Sequence, residues 1–397
     1  MTNKPLSGIR VLDLSRVLAG PWCTQNLADL GADVIKIEKP GEGDDTRKWG
    51  PPYIETPQGK LSAYYISCNR GKKSVTVDLS TPEGEIIIQE LAKKSDVLVE
   101  NYKLGGLKKY GLDYASLQKI NPRLVYCSIT GFGQDGPFAH KAGYDFMIQG
   151  MCGLMSVTGE PAGMPQKDGV ALVDVMTGMY ATSAILAALF ARQKTGQGAY
   201  IDTALLDVGV AMMANQASNF LVSGSPPKRM GNAHPNIVPY QAFATSDGHI
   251  ILAIGNDEQF ARFARACGNP QWAENPLYKT NQARVENRQD ITGSIAVVMH
   301  QKTTAEWMAV LERENIPGGR INNLQQVFDE PQVQHRGHRF TLDNIPQVAS
   351  PLRISGLDTK SDALPPPHLG QHTDAVLREV LGYDDAKIQS LKDGDVL

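Results

Sequence analysis

The sequence predicts an α/β protein: a larger domain on a mostly parallel, doubly wound sheet, and a smaller α/β domain. Three observations carry this prediction. Short β-rich runs alternate with helix-period segments through the first 130 residues. Glycine, proline and cap residues punctuate those segments at the spacing of βαβ units. A turn-rich S-G-S-P-P-K at 223–228 then separates a second region of hairpin and helix patterns.

Residues 9–15 (I-R-V-L-D-L-S) form the first strand, followed by a helix that opens near Gly20-Pro21 and closes at Gly31. Residues 33–38 (D-V-I-K-I-E) are the next strand. Residues 74–79 form another, and Ser80-Thr81-Pro82-Glu83 starts a helix with an early proline and a glutamate three residues after Ser80. Strands follow at 96–102 and 123–130, with a helix at 114–120 between them. A long apolar helix runs from about Asp174 to Lys194 and ends at T-G-Q-G, and residues 199–205 return as a strand or helix start. Beyond the turn-rich segment, residues 238–245 and 249–254 read as a hairpin around S-D-G. Helices are predicted near 257–267, 288–300 and 304–315. Pro365 to Pro367 make a stiff connector to a terminal helix that begins near Thr373. Residues 1–200 and 330–397 are assigned to the large domain and 225–320 to the small one.

With 397 residues, 42% hydrophobic and 20% charged, the chain is long enough for two domains. A net charge of -3 and a pI of about 6.3 give no global basic field, so nucleic acid is not an expected partner. Five scattered cysteines without C-x-x-C spacing suggest reduced thiols and a cytoplasmic setting. The histidines form no H-E-x-x-H or H-x-H cluster, so no metal site is expected. The N-terminus lacks the apolar core of a signal peptide. The one membrane-length apolar stretch carries a charge, small polar residues and a glycine, and reads as a buried core helix rather than a membrane span.

That charge is Asp174, alone in residues 170–191. An ionised carboxylate in apolar surroundings needs a partner or has a chemical task. The residues alone leave two readings open: a structural acid that caps a helix or pairs with a distant arginine, or a reacting group. Basic segments offer candidate anion contacts: Lys36 and Lys39 around the end of the second strand, Arg47, Arg70-Gly71-Lys72-Lys73, and Lys108-Lys109. Their place near the carboxyl ends of parallel strands is where such sheets bind ligands. The run Gly131 to Gly136 matches G-x-G-x-x-G after a strand. Pro137 follows it where a helix should start, and no acid stands at the expected distance, so the glycines read as a loop beside a site. His234, in G-N-A-H-P, reads as a turn residue or part of a lid.

Several longer segments resemble the class III CoA-transferases, the family of formyl-CoA and carnitine CoA-transferases. They are V-L-D-L-S-R-V-L-A-G-P, L-G-A-D-V-I-K-I-E, G-D-D-T-R, D-V-L-V-E-N-Y at 96–102, N-P-R-L-V-Y-C-S-I-T-G-F-G at 121–133 and A-G-Y-D at 142–145. Within the family the resemblance is closest to the succinate–glutarate (dicarboxylate) CoA-transferases. It rests there on A-R-V-E-N-R at 283–288, I-N-N-L-Q-Q-V-F-D-E-P-Q-V at 321–333 and P-P-P-H-L-G-Q-H-T at 365–373.

The resemblance implies a Rossmann-like large domain, an interlocked homodimer, and acyl-CoA and small carboxylic acids as substrates. CoA enters as a thioester substrate and no permanent cofactor is implied. Asp174, in V-D-V-M-T-G, matches the family's nucleophile, which forms acyl-aspartyl anhydride and aspartyl-CoA thioester intermediates. CoA contacts carried over by motif are Arg16, Val17, Leu18, Lys39, Arg70, Lys72, Lys73, Asn101, Tyr102, Lys109 and Lys141. Leu18 stands where formyl-CoA transferase has a glutamine, so that contact does not transfer. The Gly231 to Pro235 loop corresponds to an active-site cover. Arg47, Arg284 and Arg288 are candidate clamps for a second substrate carboxylate, and Tyr144 and His234 are further substrate-side candidates. The same fold houses α-methylacyl-CoA racemases, which carry a histidine base in G-H-D. Here that place reads Gly143-Tyr144-Asp145, which argues against racemisation. Formyl-CoA/oxalate or carnitine-type transfer competes with the dicarboxylate reading, as does a CoA-binding protein without activity.

Overall fold

The computed structural model describes residues 4–360 and 363–397. The chain divides into two compact units. The first comprises Met1–Leu154, Asp168–Ser218 and Gln334–Leu397, and the second Met155–Lys167 and Asn219–Val333.

The first unit is organised by six parallel strands: β1 (Arg10–Asp13), β2 (Asp33–Glu38), β5 (Lys72–Thr76), β6 (Val97–Glu100), β7 (Val125–Thr130) and β8 (Ala199–Ala204). They lie in the order β5-β2-β1-β6-β7-β8. Between β2 and β5 the chain adds an antiparallel hairpin, β3 (Tyr53–Thr56) and β4 (Gly59–Ser62), and a short helix α2 (Ala63–Cys68). The sequence pattern did not reveal this insertion, because its strands are only four residues each.

Both faces of the parallel sheet are covered, which is why its strands read as near-continuous apolar runs. Successive residues alternate between the two layers. Leu12, Ile35, Val75 and Leu98 pack with α3 (Pro82–Lys93), α4 (Tyr114–Ile120) and the C-terminal residues Val376 and Ile388. Val11, Val34, Val97, Val99 and Val125 face α1 (Ala19–Asp29) and the long α7 (Leu172–Thr195). Helix α3 starts one residue later than the Ser80 cap expected. Thr81 accepts the Gly84 N–H at 3.0 Å, while Ser80 is engaged with Asp78. Gly196, at φ +71°, ends α7 in the left-handed conformation that glycine adopts without strain.

Helix α7 is buried along one stripe only. Val173, Thr177, Gly178, Ala181, Ile185 and Leu189 are inside, whereas Tyr180 and Phe190 are exposed at 47% and 62%. The expectation of a buried core helix therefore holds for one face of it. Two short helices, α5 (Asp145–Met151) and α6 (Leu154–Val157), precede α7, and α8 (Leu205–Ala211) follows β8. All five cysteines are unpaired.

The second unit carries β9 (Tyr240–Ala244), β10 (His249–Ala253) and β11 (Gly318–Arg320) in an antiparallel sheet. Phe243, Ile250, Leu252, Phe260, Phe263, Ile291 and Trp307 form its core. A capping box, with Thr303 and Glu306 bonding reciprocally, starts the helix Thr304–Arg313. Residues 155–167, expected in the large domain, belong here. The Gly231 N–H donates to Gly159 O, and the Arg229 guanidinium to Gly163 O.

Helices α1 and α7 cross closely at Gly178, where a Cβ would lie 2.7 Å from Ala19 O and 3.1 Å from the Trp22 side chain. Gly178→Val is expected to lower stability by about 2–3 kcal/mol through overpacking, read as a lower urea midpoint at unchanged m-value.

Candidate active site

The chain winds outward in both directions from the middle of the parallel sheet. β1 leads to β2 and β5 on one side, and β6 leads to β7 and β8 on the other. In such sheets the crevice outside the carboxyl ends at the reversal is the ligand site. A cleft of about 680 Å³ lies there, lined by the loops after β1, β6 and β7, by residues 139–144, and by Asp174.

The loop after β1 is tied across the reversal to the loop after β6. Arg16 N–H donates to Asn101 Oδ1 at 2.9 Å, and Asn101 Nδ2 donates back to Arg16 O at 2.8 Å. The Arg16 guanidinium lies 5.6 Å from the centre of the Tyr102 ring and 3.3 Å from Asp45. Val17 has φ +71°, a left-handed conformation that costs a β-branched residue energy. At the neighbouring wall, Gly131 and Gly143 pass so closely that a Cβ on Gly131 would lie 2.5 Å from the Gly143 Cα. This explains the glycine after β7 better than a dinucleotide loop does: the next helix in the chain is α5, which begins only at Asp145.

Asp174 stands in the first turn of α7. Its neighbour across the wall is Asp145, whose Oδ1 accepts the Val173 N–H at 2.9 Å and the Asp174 N–H at 3.3 Å. Burial, reinforced by the Asp145 charge, pushes the Asp174 carboxyl up to about 7. A place in the first turn of a helix favours the ionised form, and desolvation outweighs it. Among the described residues no cation is paired with Asp174. The cations are at the rim instead: Arg16, Lys103, Lys109 and Lys141 line the same cleft, with Lys109 over Tyr110 and Lys141 over Phe138. Such a ring draws in a polyanion.

The cleft thus brings together Arg16, Val17, Leu18, Asn101, Tyr102, Lys109, Lys141, Tyr144 and Asp174. It does not include the other expected contacts. Lys39 is exposed and pairs with Glu42 at 2.6 Å. Arg70 is buried in a two-pronged bond to Asp29 at 2.9 and 2.6 Å and also donates to Val348 O. Lys72 is fully buried against Asp13, Asn69 and Pro21 O, and Lys73 pairs with Asp33 at 2.7 Å. In the sequence these basic residues read as candidate anion contacts. The strand there begins at Lys72, two residues before the expected Ser74, which draws Lys72 inside.

Arg47 is also committed elsewhere. It bonds Glu38, Tyr65 and Pro367 O and lies over the Tyr65 ring at 3.8 Å, so it is not free to clamp a substrate. His234, Arg284 and Arg288 belong to the second unit. Arg284 is fully buried against Asp257, Val238 O and Tyr278 O, and Arg288 donates to Pro235 O. His234 accepts the Asn236 N–H, and its imidazole is held below the ordinary range, by desolvation first and by Arg288 second.

Sequence reasoning passed over Trp49 and His140, which line the cleft, and gave no role to Asp145, which was quoted within A-G-Y-D and in place of G-H-D. It also missed Glu100. That carboxyl is buried at the end of β6, accepts the Tyr102 N–H at 2.7 Å, and is pushed up to about 7 by desolvation. Nothing in a run of V-L-V-E-N-Y marks the glutamate as desolvated.

The family description that matches residues 6–373 is "CoA-transferase family III". The chain is 50% identical over 383 residues to a succinate–glutarate CoA-transferase of Agrobacterium fabrum, spanning 95% of this chain and 96% of that protein. It is 46% identical over 399 residues to the human succinyl-CoA:glutarate CoA-transferase, spanning 99% and 90%. A crystal structure of a CAIB/BAIF family protein from Brucella suis superposes with a TM-score of 0.86 at 49% identity, spanning 95% of this chain and all of that one.

An acid whose folded pKa lies above its unfolded value holds its proton more tightly in the folded state. The stability this gives is complete below about pH 4 and is lost as pH rises through about 7. Asp174→Asn is therefore expected to be more stable than the parent at pH 8, by about 2 kcal/mol after allowing for solvent in the cleft, with the gap narrowing at pH 5. Urea titrations at the two pH values measure this, and an equal gap at both would contradict it.

Proposed function

We propose that this chain, which belongs to CoA-transferase family III, moves CoA from succinyl-CoA or another dicarboxylic acyl-CoA to a dicarboxylate such as glutarate, with Asp174 as the covalent carrier. One observation carries the reading. A desolvated carboxyl, without a cation partner among the described residues, stands inside a cation-rimmed cleft at the carboxyl ends of a doubly wound sheet. The relatives' shared succinyl and glutarate chemistry supplies the substrate class.

The proposed sequence conserves every group. The Asp174 carboxylate attacks the thioester carbonyl, the C–S bond breaks, and CoA thiolate leaves an acyl-aspartyl anhydride. The thiolate then attacks the Asp174 carbonyl, which releases the donor acid and leaves an aspartyl-CoA thioester. The acceptor carboxylate displaces CoA from that thioester to form a second anhydride. The returning thiolate attacks the acceptor's acyl carbon, giving the new acyl-CoA and free Asp174. Each attacking group is an anion, so no general base is required. Anhydrides hydrolyse, and the burial of the Asp174 carboxyl limits water at the reacting group. Backbone N–H groups at the cleft stabilise the tetrahedral oxyanions.

Arg16, Val17, Leu18, Asn101 and Tyr102 then contact the pantetheine side of CoA, and Lys109 and Lys141 its phosphates. The active form is a homodimer. Supporting this are the apolar side chains of Phe146, Tyr180 and Phe190, each about half or more exposed in the single chain.

Hydroxylamine trapping during turnover with succinyl-CoA, followed by peptide mass spectrometry, tests the carrier. A hydroxamate on Asp174, absent from Asp174→Ala, is expected; an unmodified Asp174 in an enzyme that is turning over would sink the mechanism. An acceptor scan with succinyl-CoA tests the substrate class, and transfer confined to monocarboxylates would refute it. The reacting form is the carboxylate, so kcat/KM is expected to rise with pH through an apparent pKa near 7. Asp145→Asn removes the neighbouring charge and is expected to move that limb to lower pH. A pH profile that stays put in this variant would show that Asp145 does not set it.

A further inference from the structure

The loop that carries Arg16 to Leu18 is gripped from inside the protein on both sides of Arg16. Lys36 Nζ, fully buried, donates to Ser15 O at 2.8 Å and to Asp44 Oδ2 at 2.9 Å. Asp44, 1% exposed, accepts the Val17 N–H at 3.2 Å and the Thr46 N–H at 3.0 Å. Val17 is the residue at φ +71°. A valine does not rest there unless its surroundings over-determine it, and such outliers collect at functional sites. The strain has a visible restraint, and Arg16, Val17 and Leu18 all line the cleft.

We propose that Asp44, braced by Lys36, is a positioning residue: it holds Val17 in the left-handed conformation and so sets the Arg16–Leu18 backbone against the thioester end of CoA. Asp44 lies outside the cleft lining and acts through the Val17 N–H. The pair serves geometry more than stability, because a buried ion pair contributes little net stability over an apolar pair of the same shape. The inference rests on the reading of the cleft as the CoA site. CoA affinity of the parent protein reports on that reading, and coupling between positions 44 and 17 reports on the restraint.

The test is a double-mutant cycle read by calorimetric titration of CoA into the full-length protein. Asp44→Ala, which leaves no side-chain acceptor for the Val17 N–H, is expected in the parent to weaken CoA binding about tenfold, since Val17 then relaxes. A glycine in place of Val17 adopts the left-handed conformation without the restraint. The same Asp44→Ala change made in Val17→Gly is therefore expected to cost only about twofold. Should Asp44→Ala leave Lys36 unpaired and the protein unfolded, the same cycle is run with Lys36→Met/Asp44→Ala, which removes both buried charges. Equal losses in the parent and Val17→Gly backgrounds, or no loss on Asp44→Ala, would overturn the proposal. In steady state the expected loss falls on KM for the acyl-CoA, with kcat changed less.

Discussion

Three largely buried ion pairs around β1 and β2 underlie the geometry of this protein: Lys72 with Asp13, Lys36 with Asp44, and Arg47 with Glu38. Each joins residues that are separate in the chain, and each leaves few lone pairs unused. Asp13 also accepts from Ser15 and Thr24, and Glu38 from Ser74 and the Asp44 N–H. Their mutual attraction roughly repays desolvation, so they add little to net stability. Removal of one member alone strands a charge and costs about 3–5 kcal/mol. Their consequence is positional. They fasten the loops after β1 and β2, and those loops form one side of the cleft.

Two other carboxyls follow a different rule. Asp174, in the cleft, and Glu100, at the end of β6 and outside the cleft lining, are desolvated with no cation paired to them among the described residues, and both are pushed up to about 7. The strand-end acids beneath β1 and β2 are matched with lysine and arginine and titrate low; Asp44 falls to about 2, with Lys36 and Thr46 overcoming its burial. One architecture thus holds one set of carboxylates permanently charged for structure and leaves another near the midpoint of titration. The rim cations Arg16, Lys109 and Lys141 remain solvent-accessible, so the charge available to a ligand lies at the mouth and the unpaired acid lies inside. That separation suits a ligand with an anionic tail and a reactive acyl end.

Much of the large unit was legible in the sequence. The span of β2 and that of α4 coincide with their patterns, and α7 ends at the glycine that its pattern indicated. Hydrophobic periodicity and stop signals are local, and they survive without knowledge of partners. The hairpin of β3 and β4 was illegible because its strands are four residues each, too short for a periodic pattern. In the candidate site, motif order pointed to Arg16, Asn101, Tyr102 and Asp174, which the fold brings to one cleft. The same approach grouped Arg70, Lys72 and Arg47 with them. The partners of Arg70 and Lys72, Asp29 and Asp13, lie 41 and 59 positions away, beyond any local window, and Arg47 meets Glu38 only because the chain turns back after β2.

By itself the sequence determined the alternation of strand and helix, the family and the isolation of one acid in an apolar helix, because these depend on residue order alone. Tertiary structure decided which cations face solvent and which are sealed in ion pairs, that Val17 takes a strained backbone, and that Asp145 stands beside Asp174. Those outcomes depend on which distant segments meet, and with them on the local dielectric and on whether a charge finds a counter-charge.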